Sequence, residues 1–133
     1  GRLETLVETV ERTEHLGDLD VKLAELKIIS DELAEDGADE ERQRVKALVA
    51  GQEKLLKLVR DLYIRTETDD DKVIEELEEE IVRLEEPLEL RIREFYLERE
   101  LIEAREEGEN VQGLQAELQE IRNALSELHG GSN

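Results

Sequence analysis

The chain has 133 residues, 38 acidic against 18 basic side chains for a net charge of −20, and no cysteine. That composition excludes a disulfide framework and any thiolate chemistry or zinc–thiolate site. Its field repels phosphate backbones and anionic bilayers, so neither nucleic acid nor a membrane is an expected partner. The longest uninterrupted apolar run, Ala47–Ala50, is far short of a membrane span, and a soluble protein of unassigned compartment is expected. Leu, Ile and Val recur with helical period throughout, which separates the chain from acidic disordered sequences of similar charge. The length predicts one domain, residues 1–129, with residues 130–133 as a flexible tail.

The first apolar stripe is Leu3, Leu6, Val7 and Val10 at helical spacing, predicting a helix over 2–16. Phase is lost near His15, and Gly17-Asp18 has the form of a C′ glycine followed by an N-cap aspartate. From Leu16 a new register begins, and a second helix, 18–35, carries Leu19, Leu23, Leu26 and Leu33 on one face and Val21, Ala24 and Ile28 on the other. A helix with two apolar faces is expected between two neighbours.

Asp36-Gly37-Ala38-Asp39 is a stop-and-start signal, and a third helix is expected over 39–66. Glu40 and Glu41 suit its positive N-terminal end, and Val45, Leu48, Leu55, Val59 and Leu62 mark its core seam. Gln52 falls on that seam. A buried amide without a partner costs about 1–3 kcal/mol, so Gln52 is expected in a structural polar layer or at the rim beside Gly51.

Thr68 or Asp69 is the expected cap of a fourth helix, 70–107, whose face runs Ile74, Leu77, Ile81, Leu84 and Leu88. Pro87 interrupts it. Inside a helix proline removes a hydrogen bond and clashes with the preceding turn, at a cost of about 3 kcal/mol or more. No Gly, Asn, Asp or Ser flanks Pro87, and the stripe stays in phase to Ile92 and Phe95, so a kink rather than a break is expected. Beyond it Leu90, Leu97, Leu101 and Ala104 form a stripe opposite Leu88, Ile92, Phe95 and Ile102. The last helix, 110–129, has a narrow seam of Val111, Leu114, Leu118, Ile121, Leu125 and Leu128, suited to lying against residues 90–104. The fold expected is an all-α bundle of about five helices, one of them long and proline-kinked. Its most buried layer would be residues 19–34 and 88–104, with the first and last helices outside.

Chemistry is sparse. A di-iron bundle site needs Glu-x-x-His, and Arg12 and Ser126 stand where His15 and His129 would require glutamate. Glu11 and His15 share a face, which is two ligands at most. Ser126 and His129 could meet at i,i+3, but at a helix end without an oxyanion loop. Asp18-Leu19-Asp20 and Asp69-Asp70-Asp71 open like calcium loops, yet Leu23 and Ile74 replace the sixth-position glycine. No catalytic, cofactor-binding or metal-binding residue is assigned, no cofactor is expected, and the chain is not read as an enzyme. Glu8/Arg12, Glu40/Arg44, Glu53/Lys57, Glu79/Arg83 and Glu89/Arg93 are expected i,i+4 pairs on solvent faces.

Absent Cys, Met and Trp, heavy use of Glu, Leu, Arg and Lys, acid-before-base pairs, brief Gly-Asp turns and a Gly/Ser tail are the chain's general style. That style resembles computationally designed helical proteins. Pro87, Gly51, Gly113 and unequal helix lengths depart from idealised bundles and resemble designs assembled from recombined native helix pieces. The resemblance implies a structural scaffold that needs no partner, a monomer, expressed recombinantly in cytoplasm. The rival expectation is an interaction module that turns Val21 with Ile28, or Leu90 with Leu97, toward a second copy or a basic partner.

Overall fold

A computed structural model describes residues 2–66 and 70–131. Among these residues every regular element is an α-helix, in the order α1 (Arg2–Asp36), α2 (Asp39–Arg65), α3 (Asp71–Glu106) and α4 (Gln112–Gly131). The chain divides into two compact units, Gly1–Leu84 and Glu85–Asn133.

The five helices expected become four because α1 does not stop at Gly17. A glycine inside a helix costs only about 1 kcal/mol relative to alanine, and here the helix continues through it. The apparent loss of phase near His15 has another origin. One stripe, Leu3-Val7-Val10, continues in steps of four and three through Glu14 and Gly17 to Val21, Ala24 and Ile28. A different stripe, Leu16-Leu19-Leu23-Leu26-Leu33, is the one that meets α2. At about 100° per residue the two lie on opposite sides of a single helix.

In the first unit α1 and α2 run antiparallel, joined through Gly37 and Ala38. Gly37 donates its N–H to the Leu33 carbonyl at 2.8 Å, and a Cβ on Gly37 would lie 2.7 Å from that oxygen. Only glycine fits so close a return. Leu19, Leu23, Leu26 and Leu33 of α1 are buried, as are Val45, Leu48, Leu55, Leu56 and Val59 of α2. The seam expected on α2 is therefore the dry one, with Leu62 half-buried at its end. Residues 19–34, expected to be apolar and covered on both sides, are covered on one. Val21 and Ile28 are each 58% exposed, and Ala24 is exposed. Periodicity located both faces correctly and could not say that one has no neighbour.

Asp70 begins α3. Its Oδ1 accepts the Lys72 N–H at 3.1 Å and its carbonyl accepts that of Ile74 at 3.3 Å, the bonding of an N-cap. The expected caps, Thr68 and Asp69, lie outside the described residues. α3 passes through Pro87 as one helix of 36 residues.

In the second unit Leu97 and Leu101 of α3 form a core with Leu118 and Ile121 of α4, flanked by Leu90, Val111, Leu114 and Leu125. This is the face on which the narrow seam of the last helix was expected to lie. Leu88, Ile92 and Phe95, opposite, are buried as well, whereas Ile102, two turns beyond Phe95, is 54% exposed. The turn between α3 and α4 is a Schellman motif. Gly108 takes φ +75°, Glu109 N–H donates to the Ala104 carbonyl at 2.9 Å, and Gly108 N–H donates to that of Arg105 at 3.2 Å. Asn110 Oδ1 then accepts the Gln112 N–H at 3.0 Å to start α4. α4 runs to Gly131, two residues into the segment expected to be a free tail, and Ser132 and Asn133 lie outside the described residues.

Candidate functional site

The most buried polar side chain among the described residues is Gln52, 1% exposed in the α1–α2 core. Its Nε2 donates to the Leu19 carbonyl at 3.1 Å. The sequence placed Gln52 on the seam, and the structure supplies the partner, a backbone oxygen of the neighbouring helix. The amide is thereby turned into the protein rather than toward a cavity.

His15, weighed above as a ligand beside Glu11, is half-buried with its Nδ1 2.6 Å from the Tyr63 hydroxyl. The rings meet edge to face at 5.9 Å, and the Arg12 guanidinium lies 5.2 Å from the Tyr63 ring centre. The phenol donates to Nδ1 where the ring proton sits on Nε2, and Nδ1–H donates to the phenol oxygen where it sits on Nδ1. The contact serves either way as a clasp between the end of α2 and α1. Tyr63 sits two residues before that end, and residues 2–11 of α1 are all exposed. The pairing of residues 15 and 63 had no local signal in the sequence, since each was read only within its own helix.

The other candidates stay apart. His129 Nε2 lies 3.5 Å from an Arg91 guanidinium nitrogen on an exposed surface, and Ser126 is exposed. Asp18 and Asp20 are exposed on either side of the buried Leu19 in α1, Asp70 is spent on its cap, and Asp69 lies outside the described residues. Among the described residues no three His, Asp or Glu side chains are grouped to hold a metal ion. No described helix is long and apolar enough to cross a membrane.

Two open grooves mark the first unit. One, about 450 Å³, has Leu23, Ala50 and Leu56 as its floor and Glu53, Lys54, Lys57 and Arg60 around it. The other, about 470 Å³, is lined by Ser30, Asp31, Ala34, Asp39, Arg42, Gln43 and Lys46. Part of each charged rim is engaged in ion pairs, Glu53 with Lys27 at 3.6 Å, Lys54 with Glu80 at 3.9 Å and Arg42 with Asp39. Neither groove brings a buried polar group to bear on its interior.

Charge is organised on the surface, and partly across helices. In the second unit Arg122 of α4 reaches two carboxylates one turn apart on α3, Glu98 at 2.8 Å and Glu94 at 3.3 Å. The hydrogen bond to Glu98 holds the guanidinium pKa above its ordinary range, against desolvation that lowers it, and Glu94 adds to the rise. Arg93 bridges Glu117 at 3.0 Å. Glu53 and Arg93, expected in i,i+4 pairs, thus tie neighbouring helices together.

The remaining feature is the bare face of α1. Leu3, Val7, Val10, Val21 and Ile28 are between 50 and 76% exposed along one side of α1, opposite the side that buries Leu19, Leu23, Leu26 and Leu33. Such a stripe is what an interacting helix presents. The alternative stripe weighed for a partner, Leu90 with Leu97, is already occupied: α4 covers it, and Leu97 is 7% exposed.

No protein-family model, curated protein or solved structure matches this chain.

Proposed function

We propose that the chain is a structural scaffold of the computationally designed helical type, one that carries out no reaction of its own. Gln52 supports this reading most directly, because the deepest polar group is spent on the carbonyl of Leu19 and serves helix registry. Binding and catalytic pockets need polar groups that converge on an interior space, whereas Arg122 and Arg93 join helix surfaces through Glu98, Glu94 and Glu117. On this reading Pro87 bends α3, an inherited irregularity of a helix drawn from an irregular parent.

A scaffold of this kind folds on burial alone. EDTA-treated protein, diluted from urea into plain buffer, should regain full helicity by circular dichroism with no added ligand. Helicity that appears only on adding a metal ion, a cofactor or another protein would overturn the proposal.

A further inference from the structure

We propose that the bare face of α1 is a docking surface for a basic amphipathic helix. The face keeps a strict heptad rhythm, Leu3, Val7, Val10, Glu14, Gly17, Val21, Ala24 and Ile28, over about 38 Å of helix. Every one of these positions is exposed. The rhythm matters because a seam spaced at three and four residues stays turned toward a partner helix along its whole length. Gly17 and Ala24 are the smallest residues on it, and nothing lies within 4 Å of where a Cβ on Gly17 would sit, so a neighbouring backbone can come close there.

Charge selects the occupant. Along one edge of the seam every seventh residue is acidic, namely Glu4, Glu11, Asp18, Glu25 and Glu32, and all five are exposed. The other edge carries Leu6, Thr13, Asp20 and Lys27. In heptad pairing these edge positions set partner and orientation. A second copy laid antiparallel would put the acidic row against itself. A second copy laid parallel would set Asp20 against Glu25 and Glu14 against its own counterpart, with Lys27 against Glu32 as the one favourable edge pair. A partner with lysine or arginine at its edges meets the row with opposite charge, and a lysine on its seam answers Glu14. The chain's net charge of −20 adds long-range attraction for the same partner and repulsion between copies.

The test uses the whole protein and a fluorescently labelled peptide of four heptads, with leucine at the seam and lysine at the edges. Its comparators are a scrambled peptide of identical composition and a heptad peptide with glutamate edges. Fluorescence anisotropy should show the lysine-edged peptide binding at least about tenfold more tightly than either comparator, and less tightly as salt is raised. Val21→Glu with Ile28→Glu should weaken it by at least about tenfold while leaving the circular dichroism unchanged. Equal binding of the scrambled peptide would reduce the effect to bulk attraction and overturn the proposal, as would an affinity unmoved by the double variant. Sedimentation showing a dimer of the parent and a monomer of the double variant would assign the face to a second copy and likewise overturn it. If the double variant unfolds, the face is covered by the chain itself and the proposal fails.

Discussion

Gln52 of α2 donates a hydrogen bond across the core to the backbone carbonyl of Leu19 in α1. The bond joins the two helices at one fixed register, so its value lies in specificity more than in net energy. Gln52→Leu keeps the volume and removes the polar demand, and should stay within about 1 kcal/mol of the parent. Gln52→Ala leaves a cavity and should cost about 2–4 kcal/mol. Urea titrations of the pair measure the difference, and equal losses would show that the hydrogen bond, not the packing, dominates.

Gly17 and Gly108 both have open space at their Cβ positions but should respond to substitution in opposite directions. Gly17 lies within a helix in open surroundings, so Gly17→Ala should raise stability by about 1 kcal/mol. Gly108 holds φ +75° at the end of α3, where a side chain strains the backbone, and Gly108→Ala should lower stability by about 1–2 kcal/mol. A loss at Gly17 would instead mark a helix end there, as the Gly17-Asp18 pair suggests when read in isolation.

α2 begins without a side-chain cap. Ala38 is extended at φ −67°, ψ 148°, the geometry of an N-cap, but offers no oxygen to the first turn. Ala38→Asp or Ala38→Ser supplies one and should add about 0.5–2 kcal/mol, read as an increase in the urea midpoint. No change would mean that Asp39, Glu40 and Glu41 already satisfy the helix start.

Arg122 fixes α4 to α3 through Glu98 and Glu94 while remaining about half exposed. Its pKa is raised in the folded protein, so its contribution is fully present below the ordinary arginine range and lost only as pH climbs through the higher folded value. Arg122→Met should therefore cost the same at about pH 7 and about pH 10. The cost should be under about 1 kcal/mol and shrink with added salt, because solvent screens the bridge. A strong change in that cost between the two pH values would contradict the assignment.

Much of the fold is legible in the residues. The α2 seam of Val45, Leu48, Leu55 and Val59 is buried as its spacing requires, and the α4 seam meets Leu97 and Leu101 as a narrow stripe should. These succeed because each stripe is the one apolar solution its helix offers. Val21 and Ile28 fail the same reasoning, since periodicity shows that a face is apolar and cannot show what covers it. Gly17 misleads for a related reason: its penalty inside a helix is small beside the gain from keeping α1 continuous. The partners of Gln52 and His15 were beyond the sequence, because residues 33 and 48 positions away meet only once the hairpin has formed.

The central claim is that α1 is one helix with a dry face and a wet face directly opposite. Leu26 is fully buried and Ile28, two residues on, is 58% exposed. Urea titration of Leu26→Glu and Ile28→Glu side by side tests it most directly. Leu26→Glu should unfold the chain or cost upward of about 4 kcal/mol, since it buries a carboxylate among leucines, while Ile28→Glu should stay within about 0.5 kcal/mol of the parent. Equal destabilisation by the two would contradict the claim and place both faces of α1 in the core.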